Sequence, residues 1–247
     1  MSAAPRQRSA RSGAGLAGAA LLLAACLAAL GVWQLDRREW KHTLVAAVEA
    51  RVRAPPADAP GPAAWPAITA DTDAYRQVRV TGRFRHDRAT LVQAVTERGP
   101  GYWVLTPLDT PGFTVLVNRG FVPPEKREAA TRTADNDLGP GTVTGLLRIS
   151  EPGGGFLRSN DPTANRWHSR DVPAIAAARH LGRTAPYFID ADAAPNPGGY
   201  PVGGLTVVRF ADNHLIYALT WFALAALSIW GAWRVLRFAP VPRPLPA

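Results

Sequence analysis

Cysteine is nearly absent from this chain, and so are the short motifs that mark common enzyme classes. Cys26 is the single cysteine in 247 residues, which excludes an internal disulfide framework and a metal site built from cysteines. The sequence has no G-x-S-x-G, H-E-x-x-H or C-x-x-C motif, and the glycines at 153–155 lack the Lys and Ser/Thr that complete a phosphate-binding loop. We therefore predict no catalytic residues and no enzyme activity.

Acidic residues are outnumbered, since 28 Lys and Arg against 19 Asp and Glu give a formal net charge of +9. Nearly all of the basic residues are arginines, and they are dispersed along the chain rather than gathered with aromatic residues in a stripe. Because proteins that bind DNA or RNA usually present such a basic patch, we predict no nucleic-acid partner. The basic ends of the chain suit an anionic membrane surface better.

Two long stretches contain no charged residue other than a histidine. Residues 13–35 would be about 34 Å long as a helix, and Leu215 to Trp233 about 28 Å. Both lengths match the hydrocarbon core of a bilayer, so we predict transmembrane helices at 13–35 and 213–233. Two alternatives for the first stretch are a lipoprotein cleavage box at Leu23-Ala24-Ala25-Cys26 and an Arg-rich transit peptide. The apolar residues that continue to Leu35 favour a spanning helix.

Charge at the two ends predicts the orientation in the membrane. Arginines lie in residues 1–12 and again in residues 234–247, and basic residues collect on the cytoplasmic side of bacterial inner-membrane proteins. We therefore expect both termini in the cytoplasm and residues 36–209 in the periplasm, although basic residues just after the first stretch blur the rule. Tryptophans near the ends of both stretches are typical of the membrane interface: Trp33, Trp40, Trp230 and Trp233.

The middle region predicts an α+β domain with a mainly antiparallel sheet. Apolar positions at helical spacing continue the first span over 38–53, and a stretch rich in Pro and Ala then interrupts the helix. Strands are predicted at 75–84, 90–95, 101–108, 113–122, 141–149 and 186–190, with a hairpin turn at 109–112. Short helices are predicted at 125–130 and 171–181. Five or six strands with two short helices favour a compact, largely antiparallel or barrel-like domain.

The start of the second span carries the main candidate site. Asn213 is a good N-cap residue, which places His214 in the first helical turn. Tyr217, Ala218 and Trp221 follow at three, four and seven residues, so that they lie on the same side of the helix as His214. A helix N-terminus disfavours the imidazolium form, and a neutral imidazole can bind haem iron. The alternative is an interfacial histidine that is hydrated among lipid headgroups.

Other polar residues have simpler explanations. Asp190 and Asp192 follow a short strand and are explained by a turn. Asn118 and Arg119 at the end of a hairpin strand either bind a partner or bond nearby carbonyl groups. The remaining histidines show no ligand spacing and are interpreted as surface or structural residues: His42, His86, His168 and His180.

Several ordered segments together resemble the Surf1 family (surfeit locus protein 1) of cytochrome c oxidase assembly factors. The segments are GVWQLDRREWK at 31–41, YRQVRVTGRF at 75–84, GYWVLTPL at 101–108, VLVNRGFVP at 115–123, NRW at 165–167, PYFID at 186–190 and NHLIYALTWFALA at 213–225. This chain has Asp212 where the family usually has Asn, and a carboxylate there would either orient the imidazole or repel haem propionates.

The resemblance implies two transmembrane helices around an exported domain, and delivery of haem a to oxidase subunit I. It implies that His214 binds the iron and that Trp221 flanks the haem; Tyr217 is added from the spacing. Expected partners are oxidase subunit I, haem a synthase and the bilayer. The alternative function is an assembly scaffold that binds oxidase subunits without carrying haem.

Overall fold

A computed structural model describes residues 8–128, 139–155, 157–207 and 212–238 of the chain. The described residues form four α-helices, which are α1 (Arg8–Arg53), α2 (Ala70–Asp73), α3 (Val172–Ala178) and α4 (His214–Arg237). They also form seven strands, which are β1 (Ala57–Asp58), β2 (Gln77–Phe84), β3 (Thr90–Thr96), β4 (Gly99–Asp109), β5 (Thr114–Val122), β6 (Gly141–Ile149) and β7 (Thr184–Ala191). The chain divides into a helical unit, Met1–Ala46 with Arg209–Ala247, and a sheet unit, Ala47–Val208.

The helical unit contains most of α1 and the whole of α4. Two helices in the described ranges, Gly13–Arg53 and His214–Arg237, are long and apolar enough to cross a membrane. The helix predicted after the first span is confirmed, because α1 continues without a break to Arg53. The apolar side chains of both helices are largely exposed. The Arg37 guanidinium lies 4.1 Å from the centre of the Trp40 ring, and the Arg237 guanidinium lies 5.0 Å from that of Trp233. These features indicate association with a membrane.

The sheet unit is a small barrel. Its strand order is β1-β2-β6-β7-β5-β4-β3, and an additional pairing of β2 with β4 closes β2, β6, β7, β5 and β4 into a ring. Pairs β1–β2 and β5–β7 are parallel, and the other pairings are antiparallel. The predicted fold class is therefore confirmed: two candidate membrane helices flank a domain that is mainly an antiparallel sheet.

Alternation along the strands separates two apolar clusters. One cluster contains Tyr187 and Ile189 of β7 together with residues of β2, β4, β5 and β6. Phe188, which lies between them, points to the opposite face and joins the second cluster, where Ile175 of α3 and Trp167 pack. The Tyr187 hydroxyl donates to the Pro60 carbonyl oxygen at 2.8 Å, and burial raises the pKa of this phenol.

The local predictions differ from the structure mainly at element ends. The β4–β5 hairpin and its turn at 109–112 are confirmed, and β6 has the bounds that were predicted. The helix predicted at 171–181 is shorter, because α3 ends at Ala178 and His180 has a positive φ of 50°. The helix predicted at 125–130 is a single 3-10 turn, Pro124–Lys126, and its last two residues lie outside the described ranges.

Candidate functional site

Small buried residues recur every seven positions on both long helices. They are Ala17, Ala24 and Gly31 on α1, and Ala218, Ala225 and Ala232 on α4. Seven residues are close to two helical turns, so each set lies along one face, and small side chains let two helix backbones approach closely. A Cβ atom at Gly31 would lie 2.6 Å from Cε1 of Phe222, which places that ring against the α1 backbone. These buried small residues and the Gly31–Phe222 contact mark the face that each helix turns towards the other, which we call the seam.

His214 lies at the end of this packed seam and is hydrogen-bonded across it. Its Nδ1 is 2.8 Å from Oε1 of Gln34 on α1. Because an amide oxygen can only accept, Nδ1 of His214 is the donor in this contact, and a neutral ring in this tautomer carries its lone pair on Nε2. His214 is of intermediate burial, so its side chain is partly accessible to solvent.

Asp212 organises the polar end of the same helix pair. Its Oδ1 accepts from the backbone N–H of His214 at 3.1 Å, and its Oδ2 lies 2.6 Å from His42 Nε2 and 3.5 Å from Arg38 Nε. The hydrogen bond from His42 lowers the pKa of Asp212, with help from the backbone N–H of His214. Asp212 therefore contacts the backbone of His214, and the ring is oriented by Gln34.

The predicted N-cap position of Asn213 is confirmed, since α4 begins at His214, but its side chain does not cap the helix. Asn213 occupies the N-cap position, but its φ of −109° and ψ of 5° differ from the extended conformation of a capping residue, and its side chain makes no cap hydrogen bond. Asp212 supplies the acceptor instead, through a bond to the residue two positions on, which is the geometry of an Asx turn.

The aromatic residues predicted on the His214 face have different surroundings. Tyr217 is 54% exposed and Trp221 is partly exposed, so both rings offer a surface to a ligand. Ala218 is 1% exposed, because it belongs to the packed seam. The surface that remains available to a ligand is therefore the flank of α4 beside the seam.

The sheet unit contains a buried charge network that was not predicted from the sequence. Asp190 is 3% exposed and accepts hydrogen bonds from Asn118 Nδ2 at 2.7 Å, Arg148 Nη1 at 2.7 Å, Thr206 Oγ1 at 2.9 Å and Arg170 Nη1 at 3.2 Å. The turn expected at Asp190 is therefore wrong for this residue, which lies inside β7. Asp192 does form a turn, since its Oδ1 accepts from the backbone N–H of Ala194.

The two arginines of this network also bond a second carboxylate. Arg170 contacts both oxygens of Glu151 at 2.6 and 2.9 Å, and Arg148 contacts one of them at 3.3 Å. Both guanidinium groups lie over the Phe188 ring. A cavity of about 380 Å³ adjoins the network, and its lining includes Tyr75, Trp103 and Leu205. Two positive and two negative groups balance here, which is typical of a structural network.

Asn118 and Arg119 bond neighbouring groups within the sheet unit, which is the simpler of the two interpretations given above. Both are 4% exposed. Arg119 Nη2 donates to Asn196 Oδ1 at 2.7 Å and its guanidinium lies over the Phe84 ring, while Asn118 serves Asp190. These contacts attach the loop at 196–206 to the barrel. Because Asn118 and Arg119 are almost fully buried, their side chains leave little surface for a partner.

Comparison with known proteins decides the family. The family model described as "SURF1 family" matches residues 21–226. The chain belongs to the SURF1 family. It is 37% identical over 225 residues to surfeit locus protein 1 of Mus musculus, covering 84% of this chain and 71% of that protein. It is 35% identical over 226 residues to the Homo sapiens protein, with 84% and 73% covered.

A third SURF1 relative covers more of both chains. A SURF1-like protein of Monosiga brevicollis is 34% identical over 241 residues, which is 92% of this chain and 89% of that protein. The SURF1 family is known for cytochrome c oxidase assembly factors, and the family predicted from the ordered segments is confirmed. The matched residues include Gln34 and His214 and reach into both candidate membrane helices.

Proposed function

We propose that this protein assists assembly of cytochrome c oxidase by carrying haem a to subunit I, without catalytic turnover. Membership of the SURF1 family supports the assembly role. The observation that carries the haem role is the hydrogen bond between His214 Nδ1 and Gln34 Oε1, because it leaves Nε2 with the lone pair that an iron ligand needs.

The residues on the flank of α4 fit a haem. His214 would supply the nitrogen that holds the iron, and histidine is an established ligand of haem iron. Trp221 lies seven residues further along the helix, about 10 Å deeper, and Tyr217 lies between them with an exposed ring. The two aromatic rings would pack on the apolar macrocycle and shield it from water. Haem, when bound, would supply the iron centre that His214 holds.

The membrane location follows from the same proposal. The carrier would lie in a bacterial inner membrane with the sheet unit in the periplasm and both ends of the chain in the cytoplasm. Haem a is hydrophobic, so a site on a membrane helix lets His214 receive it from haem a synthase within the bilayer. The sheet unit would contact oxidase subunits. Reporter fusions at both ends of the chain test the orientation, and an active periplasmic reporter at either end contradicts it.

The test is an absorption spectrum of protein purified in detergent from cells that co-express haem a synthase. We expect His214→Ala to lose most of the bound haem and Trp221→Phe to change the Soret band. Matched controls lie on the other side of α4: Ile216→Ala and Trp230→Phe replace residues that are 63% and 56% exposed. Both controls should keep the haem content and spectrum of the unmodified protein.

A second candidate function is favoured by the same contact. The His214–Gln34 bond also joins α1 to α4, as expected if the histidine only stabilises a scaffold that binds oxidase subunits. In that case His214→Ala would retain haem content and spectrum, and oxidase intermediates would co-purify with the variant as they do with the unmodified protein. Unchanged haem in this variant would therefore remove the carrier role and leave the scaffold.

A further inference from the structure

Gln34 is the residue that the packing of α1 places against the candidate ligand. It lies one turn from Gly31, where Phe222 closes the seam, and it is of intermediate burial. Among the described residues, its Oε1 makes the one hydrogen bond found to the His214 ring. We infer that Gln34 is a positioning residue that sets the tautomer and orientation of the His214 imidazole; this inference rests on the proposed function.

The chemistry of the amide makes this role specific. A neutral imidazole has one N–H donor and one acceptor nitrogen, and the partner of one nitrogen decides which is which. The Gln34 oxygen accepts the Nδ1 proton, so the Nε2 lone pair is available for a metal. The bond also fixes the rotation of the ring about its χ2 torsion. Metal-binding histidines generally need such a partner, and its loss typically lowers metal affinity on the order of 10- to 100-fold.

The nearby charged groups are engaged elsewhere. Asp212 uses Oδ1 for the His214 backbone N–H and Oδ2 for His42 and Arg38. The orienting partner is therefore a neutral amide, and it does not draw the Nδ1 proton away as a carboxylate would. The Gln34 oxygen thus accepts the hydrogen bond without taking the proton, whereas an ionised Glu at this position would give the imidazole more imidazolate character and strengthen the iron–nitrogen bond.

The experiment titrates the full-length protein in detergent micelles with haemin and follows the Soret band. The iron–histidine stretching frequency is then measured by resonance Raman spectroscopy after reduction. Gln34→Leu removes the acceptor at similar size, Gln34→Glu restores an acceptor oxygen, and Leu35→Ala controls for a change at the neighbouring, exposed position. Circular dichroism of each variant checks that the helices are intact.

We expect Gln34→Leu to bind haemin about 10- to 100-fold more weakly, with a lowered iron–histidine frequency. Gln34→Glu should regain the affinity of the unmodified protein with a frequency at or above its value, and Leu35→Ala should be unchanged. The inference is overturned if His214→Ala loses haemin while Gln34→Leu keeps both affinity and frequency. If Gln34→Leu loses its helical structure, a Gln34→Glu protein that folds but binds weakly overturns it too. Full binding by His214→Ala would instead overturn the proposed function.

Discussion

The buried carboxylate of Asp190 offers the sharpest test of how the sheet unit is held together. Replacing Asp190 with Asn keeps the shape of the side chain and removes its negative charge. Four donors converge on this group, from Asn118, Arg148, Arg170 and Thr206. An amide can accept through one oxygen only, and its NH2 group would face donors that it cannot satisfy.

The size of the destabilisation depends on the burial of Asp190 and on Glu151, the carboxylate that Arg148 and Arg170 would keep. Hydrogen bonds to a charged group are each worth about 1.5–3 kcal/mol, but Arg148 and Arg170 would keep Glu151, so the full sum is not lost. Breaking a buried ion pair by removing one partner costs about 3–5 kcal/mol, and we expect Asp190→Asn to fall in this range. The Glu151 side chain is 37% exposed, so solvent screens it and Glu151→Gln should cost about 1 kcal/mol.

The assay is thermal unfolding of the full-length protein in detergent, followed by tryptophan fluorescence. Trp167 is 1% exposed in the second apolar cluster and reports on the sheet unit. In a domain of this size, 1 kcal/mol corresponds to roughly 2–4 °C in Tm. Asp190→Asn should therefore lower Tm by roughly 6–20 °C, and Glu151→Gln by roughly 2–4 °C. Equal shifts for the two variants would refute the argument that burial makes Asp190 the dominant member.

Three further predictions concern close approaches and pH. Gly120 has a φ of 128° and a Cβ there would lie 2.1 Å from the Val202 carbonyl oxygen, so Gly120→Ala should destabilise the sheet unit by roughly 1–3 kcal/mol in the same assay, while Gly141→Ala, with open space around it, should not. Gly31→Leu should loosen the helix pair because Phe222 occupies that space, which increased proteolysis of α1 in micelles would reveal; Gly18→Leu, in open space, is its control. The pKa of Asp212 is lowered, chiefly by the His42 hydrogen bond, so its contribution is present above its ordinary pKa of 3.8 and is lost as the pH falls through the lower folded value. Asp212→Asn should remove this acid sensitivity of the helix pair, measured as unfolding against pH, and an unchanged profile would contradict the assignment.

Local patterns predicted most elements of the sheet unit, because each depends on nearby residues. β6 and the β4–β5 hairpin follow from alternating apolar residues and from a turn at 109–112. The closed ring could not be predicted in this way, since it depends on β2 pairing with β4 and on the parallel pairing of β5 with β7. Such pairings join strands that are distant in the sequence, and no local pattern specifies the partner of a strand.

The residues of the candidate site also divide into those that local patterns identified and those that depend on distant parts of the chain. His214 was identified from its place at the start of an apolar helix and from its spacing to Tyr217 and Trp221. Gln34 was missed because it lies 180 residues away and nothing in the first span distinguishes it from a polar residue at the interface. Asp190 was interpreted from its place at the end of a predicted strand, whereas its burial depends on Arg148 and Arg170 from other parts of the fold.

One helical register connects the seam with the polar groups around His214. Gln34, Arg38 and His42 are spaced four residues apart on α1, so they share one face, and they contact His214 or Asp212 in turn. Gly31 begins this face where the row of small residues ends. Because one uninterrupted helix carries both sets, rotating α1 to repack Ala17 and Ala24 would also move Gln34 away from the imidazole. The packing of small residues within the apolar stretch therefore keeps Gln34 within hydrogen-bond distance of the His214 ring.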